Sequence, residues 1–272
     1  MAKKGTIIDY ATGDTIILNL SGNNFQPIFA DNKGNPMKLE YTIESVIFQN
    51  ALKNNLNGWL LKPTDSIVPK ITILFFHGNG GNITTEYFVA TPFVKKGFQV
   101  FIFDYSGYGF SQGEATRDNV LIDAVAALDY IRTRSEIKNT KIIIYGQSLG
   151  GHLAAVVAQK NESLIDGLVI EAAFSSHRDI AAHESKLGFI ARVLVKEGYC
   201  AVKSIKCFHK PLLVIHSTED MTIPFYMGEK LFLNANQPKS FYEIKKCHAC
   251  GPLFYSDSIC EKIKLMLPID PK

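Results

Sequence analysis

The 272-residue chain has no apolar run approaching the ~18 residues that a membrane-spanning helix needs. Its early apolar stretch, Thr15 to Leu20, is also too short for the core of a signal peptide. A cytoplasmic location is the expectation that follows. The chain lacks a dominant charge: 29 Lys and Arg against 26 Asp and Glu leave a net charge of +3. The basic residues are scattered, with only pairs such as Lys95-Lys96 and Lys245-Lys246, so no nucleic-acid partner is expected. The dinucleotide fingerprint G-x-G-x-x-G is absent, and no glycine turn ends in the Gly-Lys-Ser/Thr of a phosphate cradle. Five cysteines, at 200, 207, 247, 250 and 260, are an odd number in a chain large enough to be stable without bridges, which favours reduced, packed thiols. Cys247 and Cys250 have no second ligand pair at metal-site spacing, so no metal is expected there. No internal repeat, low-complexity segment or linker divides the sequence, and one domain is favoured.

What the chain does have is 46% hydrophobic and 20% charged residues, enough for one large core. Residues 1–42, rich in Asn, Gly and Asp with short apolar runs such as Thr6-Ile7-Ile8, read as an extension of loops and an edge strand. Glu44 to Gln49 and Gly58 to Lys62 flank the turn composition Lys53-Asn54-Asn55, which predicts a hairpin, with Trp59 in the core. Buried strands are expected at Lys70–Phe76, Gln99–Phe103, Leu168–Ile170, Pro211–His216 and Ser240–Ile244. Between them, Tyr87–Lys96 can form a helix, and Arg117–Arg134 carries Val120, Ala124, Ala127, Leu128 and Ile131 at helical spacing. Alternating strands and helices imply a mostly parallel sheet with helices on both faces. One long irregular insert, Glu171 to Lys210, interrupts the alternation with two short helices, around Arg178–Glu184 and Phe189–Glu197.

The stretch from Lys141 to Lys160 carries the most chemistry. The strand formers Ile142-Ile143-Ile144-Tyr145 meet Gly146-Gln147-Ser148-Leu149-Gly150-Gly151 and then an apolar helical segment. The pattern G-x-S-x-G between a strand and a helix sets a serine on a turn so sharp that its backbone is strained, and the flanking glycines remove side chains that would collide. Ser148 is then an exposed nucleophile beside the N–H groups of a helix N-terminus. A second dense glycine turn, His77-Gly78-Asn79-Gly80-Gly81-Asn82, follows the strand Lys70–Phe76 and can aim backbone N–H groups into a common space, as an oxyanion loop does. A serine hydroxyl needs a base to take its proton and a carboxylate to orient that base.

Four landmarks together carry a resemblance: His77 to Asn82, Asp104-Tyr105-Ser106-Gly107-Tyr108-Gly109, Gly146 to Gly150, and Asp220-Met221-Thr222-Ile223-Pro224. From about Glu44 to Leu267 the chain resembles the α/β-hydrolase superfamily, and within it the small-capped serine hydrolases with an H-G-N-x-G-N loop. The family often has arginine where this chain has Ser106. The resemblance implies an α/β fold, with a mostly parallel central sheet of about eight strands, helices on both faces and a short cap insert. On this reading 43–272 is the hydrolase domain, with the cap at about 172–209.

In the superfamily the order is nucleophile, acid, base. Of seven histidines only His248, in the loop Lys246 to Gly251, follows both a candidate acid and the last strand, where the family's base falls. Asp220 matches the family's D-x-x-V/I-P turn, with Glu219 and Glu171 as rival acids. The resemblance further nominates the backbone N–H groups of Asn79 and Leu149 as the oxyanion hole. It implies a serine hydrolase acting on small-molecule or acyl-chain esters or thioesters, through an acyl-enzyme and without cofactor or metal. Two alternatives stay open: a serine aminopeptidase-like hydrolase, and a non-catalytic ligand-binding protein of the same fold. Cys247 and Cys250 flank the candidate base, and a bridge between them would tighten the loop and pull the imidazole off the line between Ser148 and Asp220.

Overall fold

The computed structural model describes residues 4–8, 15–64 and 67–267, with the backbone alone for 4–8 and Phe189. The chain forms two compact units, Met1–Phe75 with Gly80–Thr140, and Phe76–Asn79 with Lys141–Lys272.

The first unit holds strands β1 (Lys4–Ile8), β2 (Thr15–Ser21), β3 (Gln26–Ala30), β4 (Tyr41–Gln49), β5 (Asn55–Pro63), β6 (Ile71–Phe76) and β7 (Gln99–Phe103). Helix α1 (Ile83–Lys95) precedes β7, and α2 (Arg117–Thr133) follows it. The segment expected as loops and an edge strand instead builds an antiparallel three-stranded sheet, β1-β2-β3. Alternation along β2 explains this, because Ile16 and Leu18 are buried while Thr15 is exposed and Ile17 half-buried. The Gln26 side-chain amide donates to the Ile43 carbonyl at 2.7 Å and accepts from the Ser45 N–H at 2.9 Å, so it satisfies backbone groups along β4. The hairpin forms as expected, with β4 and β5 antiparallel and Trp59 fully buried against Tyr87. Phe48, Phe101, Phe103 and Tyr130 fill the rest of this core with stacked and edge contacts.

Helix α1 starts four residues earlier than its apolar pattern predicts. The reason is a capping box: Asn82 accepts from the Thr84 N–H and the Thr85 hydroxyl accepts from the Asn82 N–H, each at 3.0 Å. Helix α2 matches its expected span to one residue, and all five of its predicted apolar positions are buried.

The second unit contains β8 (Lys141–Gln147), α3 (Leu149–Lys160), β9 (Gly167–Glu171), α4 (His177–Glu184), α5 (Phe189–Leu194), α6 (Ala201–Ile205), β10 (Leu212–Ser217), α7 (Phe225–Asn234), β11 (Lys239–Ile244) and α8 (Gly251–Leu265). Strands β8 to β11 pair in parallel, in sequence order. The full sheet has eight strands, ordered β11-β10-β9-β8-β6-β7-β5-β4, is mostly parallel and carries helices on both faces. Only β5 runs antiparallel to both of its neighbours. Helices α6, α7 and α8 were not expected. The buried residues of α8 after its opening Gly251-Pro252 are confined to Ile259, Cys260 and Ile263, too few turns for a clear period. Among the described residues no helix is long and apolar enough to cross a membrane.

Asp104, at the end of β7, is fully buried and accepts the Ile83 N–H at 2.7 Å, at the start of α1. Burial pushes its pKa up to about 7, against an ordinary 3.8, even though backbone donors oppose the shift. The folded protein therefore keeps a proton that the unfolded chain has lost between pH 4 and 7. Stability falls as pH rises through that window and is lowest, for this group, above it. Asp104→Asn keeps the acceptor but cannot ionise, so urea titrations at pH 5 and pH 8 should show wild type losing on the order of 2 kcal/mol more than the variant.

Candidate active site

The site is built within the second unit, at the ends of β8, β9 and β10. Strand β8 is buried from Ile142 to Gln147 and stops at Ser148, which starts α3. Gly146 and Gly150 let helix and strand meet backbone to backbone. A Cβ on Gly146 would lie 2.2 Å from the Gly150 carbonyl oxygen, and one on Gly150 would lie 2.0 Å from that of Phe76. Ser148 between them has φ 54 and ψ −117, a conformation that costs a non-glycine residue about 1–3 kcal/mol. The turn is pinned by the Ser148 N–H to the Glu171 carbonyl at 2.9 Å and by the His152 N–H to the Ser148 carbonyl at 3.1 Å. Ser148 and Leu149 are half-buried, and among the described residues the Ser148 hydroxyl makes no hydrogen bond.

The loop from His77 to Asn79 lies against this turn, since a Cβ on Gly78 would be 3.6 Å from that of Ser148. His77 is fully buried and donates from Nδ1 to the Gly78 carbonyl at 2.7 Å. Burial lowers its pKa to about 4, so it stays neutral near pH 7. Asn79 is exposed at the mouth of the loop.

His248 and Asp220 are brought together, with Nδ1 donating to Oδ2 at 2.7 Å. The Asp220 side chain is 0% exposed and that of His248 22%. The other Asp220 oxygen, Oδ1, accepts the N–H groups of Thr222 and Ile223 at 2.8 and 2.9 Å. Burial pushes the Asp220 pKa up, but the hydrogen bond from His248 and those amides outweigh it and hold the carboxyl below its ordinary value. A charged Asp220 fixes the His248 proton on Nδ1 and leaves Nε2 as the basic nitrogen. His216 lies behind the pair, with Nε2 donating to the Ile223 carbonyl at 2.9 Å and lying 3.5 Å from Asp220 Oδ2; its burial lowers its own pKa.

Neither rival acid bonds to the imidazole. Glu219 accepts the Lys246 N–H at 3.0 Å. Glu171 is buried and accepts from the Tyr145 hydroxyl at 2.6 Å, the Gln147 amide at 2.7 Å and the Gly251 N–H at 2.6 Å. Burial raises its pKa against those donors. Gln147 also donates to the Ala249 carbonyl at 2.8 Å, so Tyr145, Gln147 and Glu171 tie the end of β8 to the loop around His248. Sequence reading missed Tyr145 and Gln147, although a tyrosine and a glutamine inside an otherwise aliphatic strand are the available signal. The loop needs this support because Lys246 and Ala249, on either side of His248, have φ 98 and φ 53.

One expectation is corrected here. Cys247 and Cys250 are paired as a disulfide, while Cys200, Cys207 and Cys260 are not disulfide-bonded. With that bridge closed His248 still bonds to Asp220, and Gln147 holds the Ala249 carbonyl from the end of β8. Among the insert's apolar residues, Phe174 packs with Ile223 and Met227 against Leu149 and Ile180. Leu187, Ile190 and Leu194 are instead exposed at 60%, 55% and 71%, and the side chain of Phe189 lies outside the described residues.

A family model for the alpha/beta hydrolase fold matches residues 71–193. The uncharacterized protein YfhR of Escherichia coli O157:H7 is 31% identical over 205 residues, covering 73% of this chain and 70% of its own. The chain belongs to the α/β-hydrolase family. Protein bem46 of Schizosaccharomyces pombe is 29% identical over 222 residues, covering 80% of this chain and 74% of its own. Among solved structures, this α/β-hydrolase is similar in fold to the acetyl xylan esterase of Paenibacillus sp. R4, with a TM-score of 0.69, 17% identity and coverage of 91% and 87%. It is also similar to the esterase Pf2001 of Pyrococcus furiosus, with a TM-score of 0.66, 17% identity and coverage of 83% and 91%.

The helix-on-strand contact gives a direct test. Gly150→Ala should cost roughly 3 kcal/mol or more in urea unfolding, or yield insoluble protein, because its new methyl meets a backbone carbonyl. Gly80→Ala, with nothing within 4 Å of the added Cβ, should stay within about 1 kcal/mol of wild type.

Proposed function

We propose that this α/β-hydrolase is a serine hydrolase that cleaves carboxylic ester or thioester bonds through an acyl-enzyme on Ser148. The observation that carries the reading is the 2.7 Å hydrogen bond from His248 to the buried Asp220, in a loop that Gln147, the residue before Ser148, holds in place. His248 Nε2 takes the hydroxyl proton as Ser148 Oγ attacks the carbonyl carbon. Asp220 stabilises the imidazolium that forms. The tetrahedral oxyanion is received by the N–H groups of Leu149 and Asn79, and loss of one such donor typically costs ~10²–10³ in kcat. His248 then gives its proton to the leaving alcohol or thiol, and the same steps with water release the acid and restore Ser148. The acyl chain lies against Leu149, Phe174, Ile180, Ile223 and Met227, a small apolar wall. Leu187, Ile190, Val193 and Leu194 of the insert face outward, so chains of up to about ten carbons are favoured.

Fluorophosphonate labelling of wild type but not of Ser148→Ala, with loss of p-nitrophenyl butyrate turnover by ~10³-fold or more, is the expected result. A folded Ser148→Ala protein that keeps a tenth of the activity overturns the proposal, and an unlabelled wild type leaves a ligand-binding protein. Asp220→Asn should lower kcat by on the order of 10³-fold, since the wrong imidazole tautomer is then held. Glu171→Gln should lower it by about tenfold or less, acting only through the position of the loop. The reverse order would move the acid to Glu171. Faster turnover of amides than of esters would favour the aminopeptidase reading.

A further inference from the structure

The second unit contains another cluster of chemically capable side chains, which the proposed hydrolysis does not use. His152 stands on α3 one turn beyond Ser148 and is fully buried. Its ring stacks on Phe174 at 4.2 Å and meets the ring of His177 edge-on at 4.5 Å. His177 begins α4 and is 5% exposed. Glu197, in the segment after α5, accepts the N–H of His177 at 2.9 Å and that of Arg178 at 3.3 Å, so its carboxylate is fixed at the start of α4. Both imidazoles have a defined tautomer. His152 Nδ1 lies 3.0 Å from the Phe174 carbonyl oxygen and His177 Nδ1 lies 3.3 Å from that of Tyr199. A carbonyl oxygen only accepts, so each ring carries its proton on Nδ1 and its lone pair on Nε2. This is how metal-binding histidines are oriented, with the second nitrogen donating to a carbonyl or carboxylate behind the ring.

One ligand atom from each of His152, His177 and Glu197 lies within 4.8 Å of the other two. We propose that His152, His177 and Glu197 form a zinc site that staples the insert to the nucleophile helix. Two imidazoles and one carboxylate suit zinc, whereas calcium and magnesium require oxygen ligands. Zinc bonds of ~2.0–2.2 Å place tetrahedral ligands roughly 3.4 Å apart, so the cluster has to close by about an ångström. The carboxylate can bind an ion and still accept both amides, because its two oxygens offer about four lone-pair sites. The fourth ligand is water. The ion bridges α3, the start of α4 and the segment before α6, the last two of which are also linked by Arg178, whose Nε donates to the Val195 carbonyl at 3.2 Å and lies 3.9 Å from Glu197. The assignment does not depend on the esterase reading, and no step of hydrolysis passes through the ion.

The test is metal content. Protein incubated with zinc chloride and dialysed against metal-free buffer should retain about one zinc ion per chain by elemental analysis, and its Tm should rise by roughly 5–10 °C with zinc a hundredfold above Kd. The His177→Gln, Glu197→Gln double variant should lose the ion and the Tm rise. A Cys247→Ser, Cys250→Ser variant should keep both, which separates this site from the cysteine-bearing loop. Cobalt(II) bound to wild type should give the intense visible bands of a tetrahedral site. This spectrum keeps the proposal testable if a variant fails to fold. No retained zinc and no tetrahedral cobalt spectrum in wild type, or loss of the ion only in the cysteine variant, overturns the proposal.

Discussion

The candidate site depends on the backbone contact between α3 and the strand ends beneath it. Gly146 and Gly150 allow carbonyl groups of Phe76 and Gly150 to sit where a methyl group would otherwise be. The helix therefore begins without an intervening loop, and Ser148 has to turn the chain at φ 54. The strain at Ser148 persists because the surroundings over-determine it: nine consecutive residues of α3, Gly150 to Ala158, are buried, and the Ser148 N–H is fixed to β9. The same contact sets the first N–H groups of α3 beside the serine, so exposure of the hydroxyl and the positive end of the helix arise from one packing decision.

Three buried carboxylates next to this frame have different environments and therefore different tasks. Asp220 receives two amides and an imidazole and is held ionised, the state that can orient a base. Glu171 receives a phenol, an amide side chain and one backbone N–H, and burial pushes its pKa up, which suits a structural acceptor joining strand to loop. Asp179 is deeply buried on α4, yet the hydrogen bonds from Lys230 and Ser175, each at 2.6 Å, together with Ser176, outweigh that burial and lower its pKa. It fastens the insert to α7. The number and charge of the donors around each group separate them, where depth of burial alone does not.

The order of elements was legible because buried strands and amphipathic helices leave local patterns. Ile142 to Tyr145 reads as a strand, and Val120 to Ile131 reads as a helix face, whatever they pack against. Ser148 was legible for a similar reason, since its turn is specified by neighbours within two residues. The three-stranded sheet near the N-terminus was not, because the amide groups of Gln26 and Asn24 that attach it to β4 are polar residues indistinguishable in sequence from those of a loop. Helix α1 was read short, since a capping box made by Asn82 and Thr85 resembles a polar linker until its hydrogen bonds are drawn.

The sequence by itself determined that a buried strand runs into a strained serine turn and a helix, that a glycine-rich turn follows an earlier strand, and that a histidine lies beyond the last one. Those are short-range facts, carried by residue types at fixed spacing. Only the tertiary structure decided which carboxylate meets His248, because Asp220, Glu219 and Glu171 lie 28, 29 and 77 positions from it and differ only in where the ends of β9 and β10 deliver them. It also decided that His152, four residues after Ser148, lies with His177 and Glu197, since helix packing and not chain distance brings those three together.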